Sequence, residues 1–157
     1  MVQYRESKRT PGSYHAMEVN TANRLKLLIM LYEGATRFTK RAEDALNEGD
    51  LAVKGESISR AMAIIDELNN TLDYKPAPDL ARSLSRLYGY IHDCLVEANR
   101  NNDAQPLANA LRIIEVLRSA WVELSKKSVG DLAVKGDASK TAQVKQQNAE
   151  NYFRISV

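Results

Sequence analysis

Cysteine and histidine are scarce in this sequence of 157 residues, which contains one cysteine, Cys94, and two histidines. A single cysteine excludes an internal disulfide and is typical of a reducing compartment. Seven glycines and four prolines are too few for a loop-rich β-sandwich or a long disordered protein. These scarcities favour a globular chain of one domain, which is long enough to bury a substantial core.

Strong charge imbalance and long apolar runs are also absent. The net charge of +2 argues against nucleic acid as the main partner, because binding driven by phosphates needs a concentrated basic face. The N-terminus has no apolar signal region, and the longest apolar run, residues 27–32, is far too short to span a bilayer. We therefore expect a cytoplasmic protein with no stable membrane insertion.

The residues that usually carry catalysis or bind metal are not arranged for either task. His15 and His92 lie in different segments, and Cys94 is two positions from His92, so the two do not share a helix face. A metal site in a helical bundle needs a glutamate three residues before each histidine, but Gly12 and Gly89 stand there. No phosphate-binding glycine loop or zinc spacing is present. We expect no catalytic site, no metal and no cofactor, which makes a helical enzyme the most distant alternative.

Apolar residues recur at spacings of three and four in four segments, which indicates four amphipathic helices. The segments cover approximately residues 23–47, 51–72, 80–99 and 104–124. No strand-like alternation competes with this periodicity. Four helices of about twenty residues with short connections predict an all-α fold, an antiparallel up-and-down four-helix bundle.

Polar and glycine residues mark the expected helix ends. Gly49 is a C-terminal stop for the first helix, and Asp50 is the N-cap of the second. Asp79 follows two prolines and is the expected cap of the third helix. Asn102 or Asp103 is the expected cap of the fourth.

The composition divides the chain into three parts. We expect residues 1–18 to form a flexible N-terminal arm and residues 19–124 to form the bundle. Residues 125–157 are expected to be a C-terminal extension that is partly disordered or forms a short extra helix. Residues 49–55, Gly-Asp-Leu-Ala-Val-Lys-Gly, recur at 130–136. The two copies either share a helix–turn–helix role or represent a chance or duplicated linker.

The first helix is apolar nearly all round over residues 19–34. One stripe contains Leu25, Leu28, Ile29 and Tyr32, and a second contains Leu27, Met30 and Leu31. The fourth helix has a similar second stripe made of Ile113, Val116 and Ala120. Wider burial in the core explains such broadening, and so does an exposed apolar groove, walled by these two helices, that binds a partner helix.

Several short motifs, in order across the four helices, are similar to those of a known family. The chain resembles the flagellar secretion chaperones that hold flagellin in the cytosol, the FliS family. The resemblance covers about residues 14–124, and no single motif is specific by itself. Its motifs are Tyr14 and Val-Asn-Thr-Ala at 19–22, Met-Leu-Tyr-Glu-Gly at 30–34, Ala-Ile-Ile-Asp-Glu-Leu-Asn at 63–69 with Leu72-Asp73, Leu-Tyr-x-Tyr-Ile at 87–91 with Leu95 and Ala98-Asn99, Asp103, and Leu-Arg-x-Ala-Trp at 117–121.

The resemblance implies a small helical bundle that binds the C-terminal segment of flagellin monomers, prevents premature polymerisation and delivers the subunit to the flagellar export apparatus. It also implies that a mobile N-terminal segment covers part of the binding surface. This chain departs from the family in a longer, more basic arm and in the residues after 124. The residues expected to form the flagellin groove or its N-terminal cap are Tyr14, Val19, Thr21, Leu25, Leu28, Met30, Leu31, Tyr32, Ile113, Val116 and Ala120.

Two further hypotheses concern the apolar surface. In the first, the tail from residue 142 to 157 folds back and competes for the same groove. In the second, which is the leading functional alternative, the protein is a structural or regulatory bundle that self-associates through this surface as a homodimer. Mass measurement in solution separates that alternative from a monomeric chaperone.

Overall fold

The computed structural model describes the backbone of residues 12–134 and the side chains of residues 20–128 and 130. Within this part of the chain every regular element is an α-helix, and no strand occurs. The helices are α1 (Gly12–Glu48), α2 (Leu51–Asn70), α3 (Pro78–Asn101) and α4 (Ala104–Val134). The four-helix prediction is confirmed.

Each helix packs against the two that are its neighbours around the bundle. α1 contacts α2 and α4, and α3 contacts the same two helices. Short connections reverse the chain between successive helices, so the bundle is antiparallel and up-and-down as expected. The central core draws on all four helices; its side chains that are at most 1% exposed include Tyr32, Ile58, Ile65, Leu68, Ile91, Leu95, Leu107 and Ile114.

The connection between α1 and α2 follows the predicted pattern. Gly49 has a φ of +76°, in the left-handed region that glycine adopts without steric cost. The side chain of Asp50 then accepts a hydrogen bond of 3.0 Å from the backbone N–H of Val53. Asp50 is therefore the N-cap of α2, and both predictions for this turn are confirmed.

The third helix begins earlier than expected. Its N-cap is Ala77 and Pro78 is its first residue, so Asp79 lies inside the first turn and the prediction that it caps the helix is wrong. Proline is well suited to this position because its missing N–H would have no partner there. At the start of α4, Asp103 accepts a hydrogen bond of 2.9 Å from the backbone N–H of Gln105, which resolves the choice between Asn102 and Asp103.

The two outer helices of the sequence are longer than the apolar stripes indicated. α1 begins at Gly12 rather than near residue 23, and α4 continues to Val134 rather than ending near residue 124. The backbone of residues 12–18, assigned from sequence to a flexible arm, is thus helical; residues 1–11 and 135–157 lie outside the described part. The division of the chain into arm, bundle and extension stays a prediction.

The two copies of the repeated segment have different conformations. The first copy contains the turn at Gly49 and the start of α2, whereas the second begins at Gly130 inside α4. A shared helix–turn–helix role is therefore not seen for residues 130–134. The last residues of the second copy lie outside the described part of the chain.

A buried lysine joins the N-terminal part of α2 to the C-terminal end of α3. The side chain of Lys54 is buried, and its ammonium group donates a hydrogen bond of 2.9 Å to the carbonyl oxygen of Asn99. It also donates to the side-chain oxygen of Asn102, which ends α3 at a φ of 50°. A cation is favourable at this place because the last carbonyl groups of a helix carry partial negative charge.

Candidate functional site

Three of the residues proposed for the partner site from sequence are core residues in the structure. Leu25, Leu28 and Tyr32 are at most 5% exposed and form the inner face of α1. The hydroxyl of Tyr32 is hydrogen-bonded to that of Tyr88 on α3, across the centre of the bundle. In this conformation none of the three is accessible to a partner.

The tyrosine pair lies in an apolar environment that opposes ionisation. Burial raises the pKa of Tyr32, and the hydrogen bond from Tyr88 offsets part of that rise. Burial also raises the pKa of Tyr88. Trp121 of α4 is close enough to lower the pKa of Tyr32, although its indole N–H makes no hydrogen bond of standard geometry to the described residues. The three aromatic residues therefore belong to the core of the bundle.

The other α1 residues from the sequence prediction differ in accessibility. Met30 is 54% exposed, and Thr21 and Leu31 are half-buried. Tyr14 and Val19 belong to the first turns of α1, and their side chains lie outside the described part of the structure. Leu27, which the sequence prediction did not include among the site residues, is 60% exposed. The outer side of α1 therefore exposes two large apolar side chains.

The second stripe of α4 is on the surface, on the side of the helix that faces away from α1. Val116 is 64% exposed, Ala120 is exposed and Ile113 is half-buried. Glu115 marks the side facing α1, because its carboxylate is 3.9 Å from the ammonium group of Lys40. At about 100° per residue, Ile113 and Ala120 are about 160° and 140° from Glu115 around α4. Val116 is about 100° from Glu115 on the same side, facing more towards solvent. Since α3 is the other neighbour of α4, the stripe borders α3.

Two exposed apolar residues of α3 lie beside this stripe. Leu87 is 37% exposed and Tyr90 is 46% exposed. His92 marks the side of α3 that faces α2, since its Nε2 is 3.8 Å from a carboxylate oxygen of Asp66. At about 100° per residue, Leu87 and Tyr90 are about 140–160° away from His92 around the helix, and so they face α4.

The position along the bundle also brings these residues together. α3 and α4 run antiparallel from the turn at Asn102 and Asp103, so residues equally far from the turn lie at the same level. Tyr90 is twelve residues before Asn102, and Glu115 is twelve residues after Asp103, so these two residues are level. Val116 is the next residue after Glu115. Leu87 lies between the levels of Val116 and Ala120. We call the resulting patch the α3–α4 surface; it consists of Leu87, Tyr90, Ile113, Val116 and Ala120.

The sequence prediction found three members of this surface and missed Leu87 and Tyr90. Leu87 belongs to the apolar stripe of α3, which indicated a core position, and its partial exposure comes from its place at the edge of that stripe. Tyr90 lies three residues further on, so a helical projection of α3 beside α4 would have placed both at the same edge. The signal was present, but it required the identity of the neighbouring helix.

The exposed apolar residues of α1 and α4 are not among those that line the cavity between these two helices. This cavity has a volume of about 500 Å³ and is lined by polar and charged residues. Glu115, which contributes to it, accepts a hydrogen bond of 3.0 Å from Arg118. The residues that line the cavity are Glu33, Thr36, Arg37, Lys40, Arg41, Asp44, Glu115 and Arg118. At this cavity the two helices present charged edges to each other.

Leu27, one of the two exposed apolar residues of α1, lies on the side of α2. Gly34 packs so closely against α2 that a Cβ atom there would be 3.1 Å from Cδ1 of Ile64. Leu27 is seven residues before Gly34 and hence on nearly the same side of the helix. Of the predicted site residues, the structure therefore buries Leu25, Leu28 and Tyr32 and exposes Met30 on the outer side of α1, where Leu27 is also exposed. Ile113, Val116 and Ala120 belong to the separate α3–α4 surface.

The described residues contain neither a metal-binding cluster nor a membrane-spanning helix. No group of three or more histidine, cysteine, aspartate or glutamate side chains is placed to hold a metal ion there. None of the described helices combines the length and the apolar character that a membrane span requires.

A four-helix bundle with an exposed apolar surface between two helices belongs, by its architecture, to the class of helical proteins that can bind an amphipathic partner. Comparison with known proteins identifies the family within this class. The family described as "Flagellar protein FliS" matches residues 7–128. The chain belongs to this family, which confirms the resemblance seen in its motifs.

Named relatives agree with this assignment. The flagellar secretion chaperone FliS of Salmonella typhimurium is 36% identical over 111 residues, which cover 70% of this chain and 82% of the relative. The protein of the same name from Bacillus subtilis is 36% identical over 109 residues, covering 69% and 80%. That of Campylobacter jejuni is 35% identical over 115 residues, covering 71% and 90%. The family supports a role as an export chaperone in flagellum assembly and is not a family of enzymes.

Proposed function

We propose that this protein is a cytoplasmic export chaperone that binds the C-terminal segment of flagellin. In this proposal the bound chaperone prevents premature polymerisation of flagellin and aids its delivery to the flagellar export apparatus. The observation that carries the proposal is the exposed α3–α4 surface on a chain of a secretion-chaperone family. A second contact area is the outer α1 pair, Leu27 and Met30.

The surface has the chemistry that a partner helix needs. An amphipathic helix inserts apolar side chains, spaced by three and four residues, between two helices of its receptor. Val116 and Tyr90 lie at the same level on α4 and α3 and are 64% and 46% exposed. Covering one leucine or isoleucine fully contributes about 1.5–3 kcal/mol, and the ordering of a disordered segment subtracts from the sum. Several such contacts are therefore required for micromolar binding.

Calorimetry with a flagellin C-terminal peptide tests the proposal directly. We expect heat of binding with the wild-type chain and at least about tenfold weaker binding for Val116→Lys, which corresponds to about 1.4 kcal/mol. The matched control is Leu51→Lys. Leu51 is also an exposed aliphatic residue, at 51% exposure, but it lies at the start of α2. The control should bind as the wild type does.

Two results would count against this function. One is the absence of heat at high micromolar peptide concentrations with a folded wild-type protein. The other is a stable dimer in a mass measurement, with Val116→Lys producing monomers, because the surface would then serve the self-associating bundle that is the alternative. Equal loss of binding in Val116→Lys and Leu51→Lys would place the peptide elsewhere on the chain.

A further inference from the structure

The sequence beyond the described part of the chain contains an apolar segment whose role the family does not account for. The family match ends at residue 128, and α4 continues to Val134. The following 23 residues, 135–157, are mainly polar until Tyr152. Four of the last six residues are then apolar or aromatic, namely Tyr152, Phe153, Ile155 and Val157.

This segment is tethered within reach of the α3–α4 surface. Val116 is eighteen residues before Val134 on α4, a distance of about 27 Å at 1.5 Å per residue. Seventeen residues separate Val134 from Tyr152, and an extended chain of that length spans up to about 56 Å. The linker can therefore return along α4 to the level of Val116 with more than half its length unused.

Tethering makes even a weak contact effective. A short flexible linker gives its end an effective concentration on the order of 1 mM near the attachment point. A segment whose free affinity for the surface is only about 0.1 mM would then occupy it for about nine-tenths of the time. The exposed aromatic and aliphatic side chains on both sides supply the apolar contact that such an affinity requires.

We propose that residues 152–157 of this chain bind the α3–α4 surface and so compete with the export client for it. The intramolecular contact stands independently of the client, whereas the competition rests on the proposed function. In the absence of flagellin the segment covers Val116 and Leu87, and flagellin must displace it. The tail is then an intrinsic competitor that raises the client concentration at which the chaperone becomes occupied.

A paramagnetic label tests the contact in the full-length chain. Ser156→Cys provides a thiol for a nitroxide, and Cys94 interferes little because it is buried and burial raises the pKa of its thiol. Wild-type chain treated with the same reagent controls for labelling at Cys94. We expect the nitroxide to broaden the methyl NMR signals of Leu87 and Val116, and to leave those of Leu27, on the α1–α2 side, unchanged.

Three outcomes contradict the proposal. They are the absence of broadening at Leu87 and Val116, broadening centred on Leu27, and broadening that occurs only between molecules. The last is detected by mixing nitroxide-labelled chains with isotope-labelled chains that lack the nitroxide, and it would indicate a second copy as the occupant. Broadening that arises within one chain does not depend on the protein concentration, and this result supports the tail as the occupant.

The competition is tested by changing the segment without shortening the chain. Phe153→Ser combined with Ile155→Ser should tighten the binding of the flagellin peptide by about tenfold if the tail occupies the surface for about nine-tenths of the time. Gln146→Ser combined with Gln147→Ser is the matched control in the polar linker and should leave the affinity unchanged. Equal affinity of Phe153→Ser/Ile155→Ser and wild type would overturn the competition.

The two experiments separate this proposal from the proposed function. If the peptide binds neither the wild type nor Phe153→Ser/Ile155→Ser, the flagellin proposal fails, while the methyl broadening still decides whether the tail binds the surface. If the peptide binds both equally and no broadening occurs, the proposed function stands and the tail contact is refuted. Each readout therefore decides one of the two statements.

Discussion

The ammonium group of Lys54 on α2 donates a hydrogen bond to the side-chain oxygen of Asn102, the residue that ends α3 in a left-handed conformation. The same ammonium group also bonds to the carbonyl oxygen of Asn99. The contact is almost completely buried, since Lys54 is 4% exposed. One side chain thus satisfies two acceptors at a helix end and fixes the start of α2 against the end of α3.

We expect Lys54→Met to lower the free energy of unfolding by about 1–3 kcal/mol, because it retains most of the apolar stem but leaves buried acceptors without their donor. Urea unfolding followed by circular dichroism measures the change. Lys126→Met is the control, since the side chain of Lys126 is 72% exposed and forms only a surface pair with Glu123. A loss for Lys54→Met no larger than for the control would show that the buried contact contributes nothing.

The tyrosine pair predicts a loss of stability at alkaline pH. Burial raises the pKa of Tyr32 and Tyr88 above the ordinary value of 10.0. The folded protein keeps both phenols neutral where the unfolded chain begins to ionise, so their contribution is fully present below about pH 10 and declines above it. The slope is up to about 1.4 kcal/mol per pH unit for each tyrosine. Urea unfolding between pH 8 and pH 11 should show this decline.

The variant Tyr32→Phe/Tyr88→Phe removes both ionisable groups of the pair together. We expect its free energy of unfolding to fall less steeply above pH 10 than that of the wild type. Comparison at pH 8, where both proteins have neutral side chains at these positions, gives the effect of the lost hydrogen bond alone. Identical slopes above pH 10 would show that the pair does not resist ionisation.

Two helical glycines should respond differently to the same substitution. Alanine is better than glycine in a helix by about 1 kcal/mol. At Gly89 a Cβ atom would meet no other group within 4 Å, whereas at Gly34 it would be 3.1 Å from Cδ1 of Ile64. We expect Gly89→Ala to stabilise the protein by about 0.5–1 kcal/mol and Gly34→Ala to stabilise it by clearly less. Thermal melts of the two variants provide the test, and equal gains would mean that Ile64 moves aside without cost.

The repeated segment offers a matched pair of glycines in different conformations. Gly49 has a positive φ of 76°, so Gly49→Ala should destabilise the protein by about 1 kcal/mol. Gly130 lies within α4, and a Cβ atom there would meet nothing within 4 Å. We expect Gly130→Ala to leave stability unchanged or to raise it by up to about 1 kcal/mol. Urea titrations that gave both variants the same sign would contradict the assignment of different conformations.

The apolar stripes alone predicted the four helices and their antiparallel order, because each helix needs one face covered and short connections allow only neighbours to pack. The ends of α1 and α4 were less predictable. The composition of residues 1–18 indicated an arm, yet the backbone is helical from Gly12 onwards. Gly130 lies within α4 because residues on both sides of a single unfavourable position can propagate the helix.

The site was only partly predictable for a different reason. The broad apolar character of α1 showed that some residues must face outwards, but burial of Leu28 and exposure of Leu27 differ by one helical step. The α3–α4 surface depends on the rotation of two helices relative to each other. This rotation is determined by tertiary packing. The sequence around Leu87 or Val116 therefore does not show that the two residues belong to one surface.

The lone cysteine acquires a practical meaning from its position. Cys94 is 5% exposed and lies four residues, about one helical turn, after Tyr90, a member of the α3–α4 surface. An alkylating reagent reaches the sulfur atom only when this edge of the bundle opens, so the rate of alkylation measures the free energy of that local opening. Alkylation of this single thiol therefore reports local opening at this edge of the bundle, without any label being added to the protein.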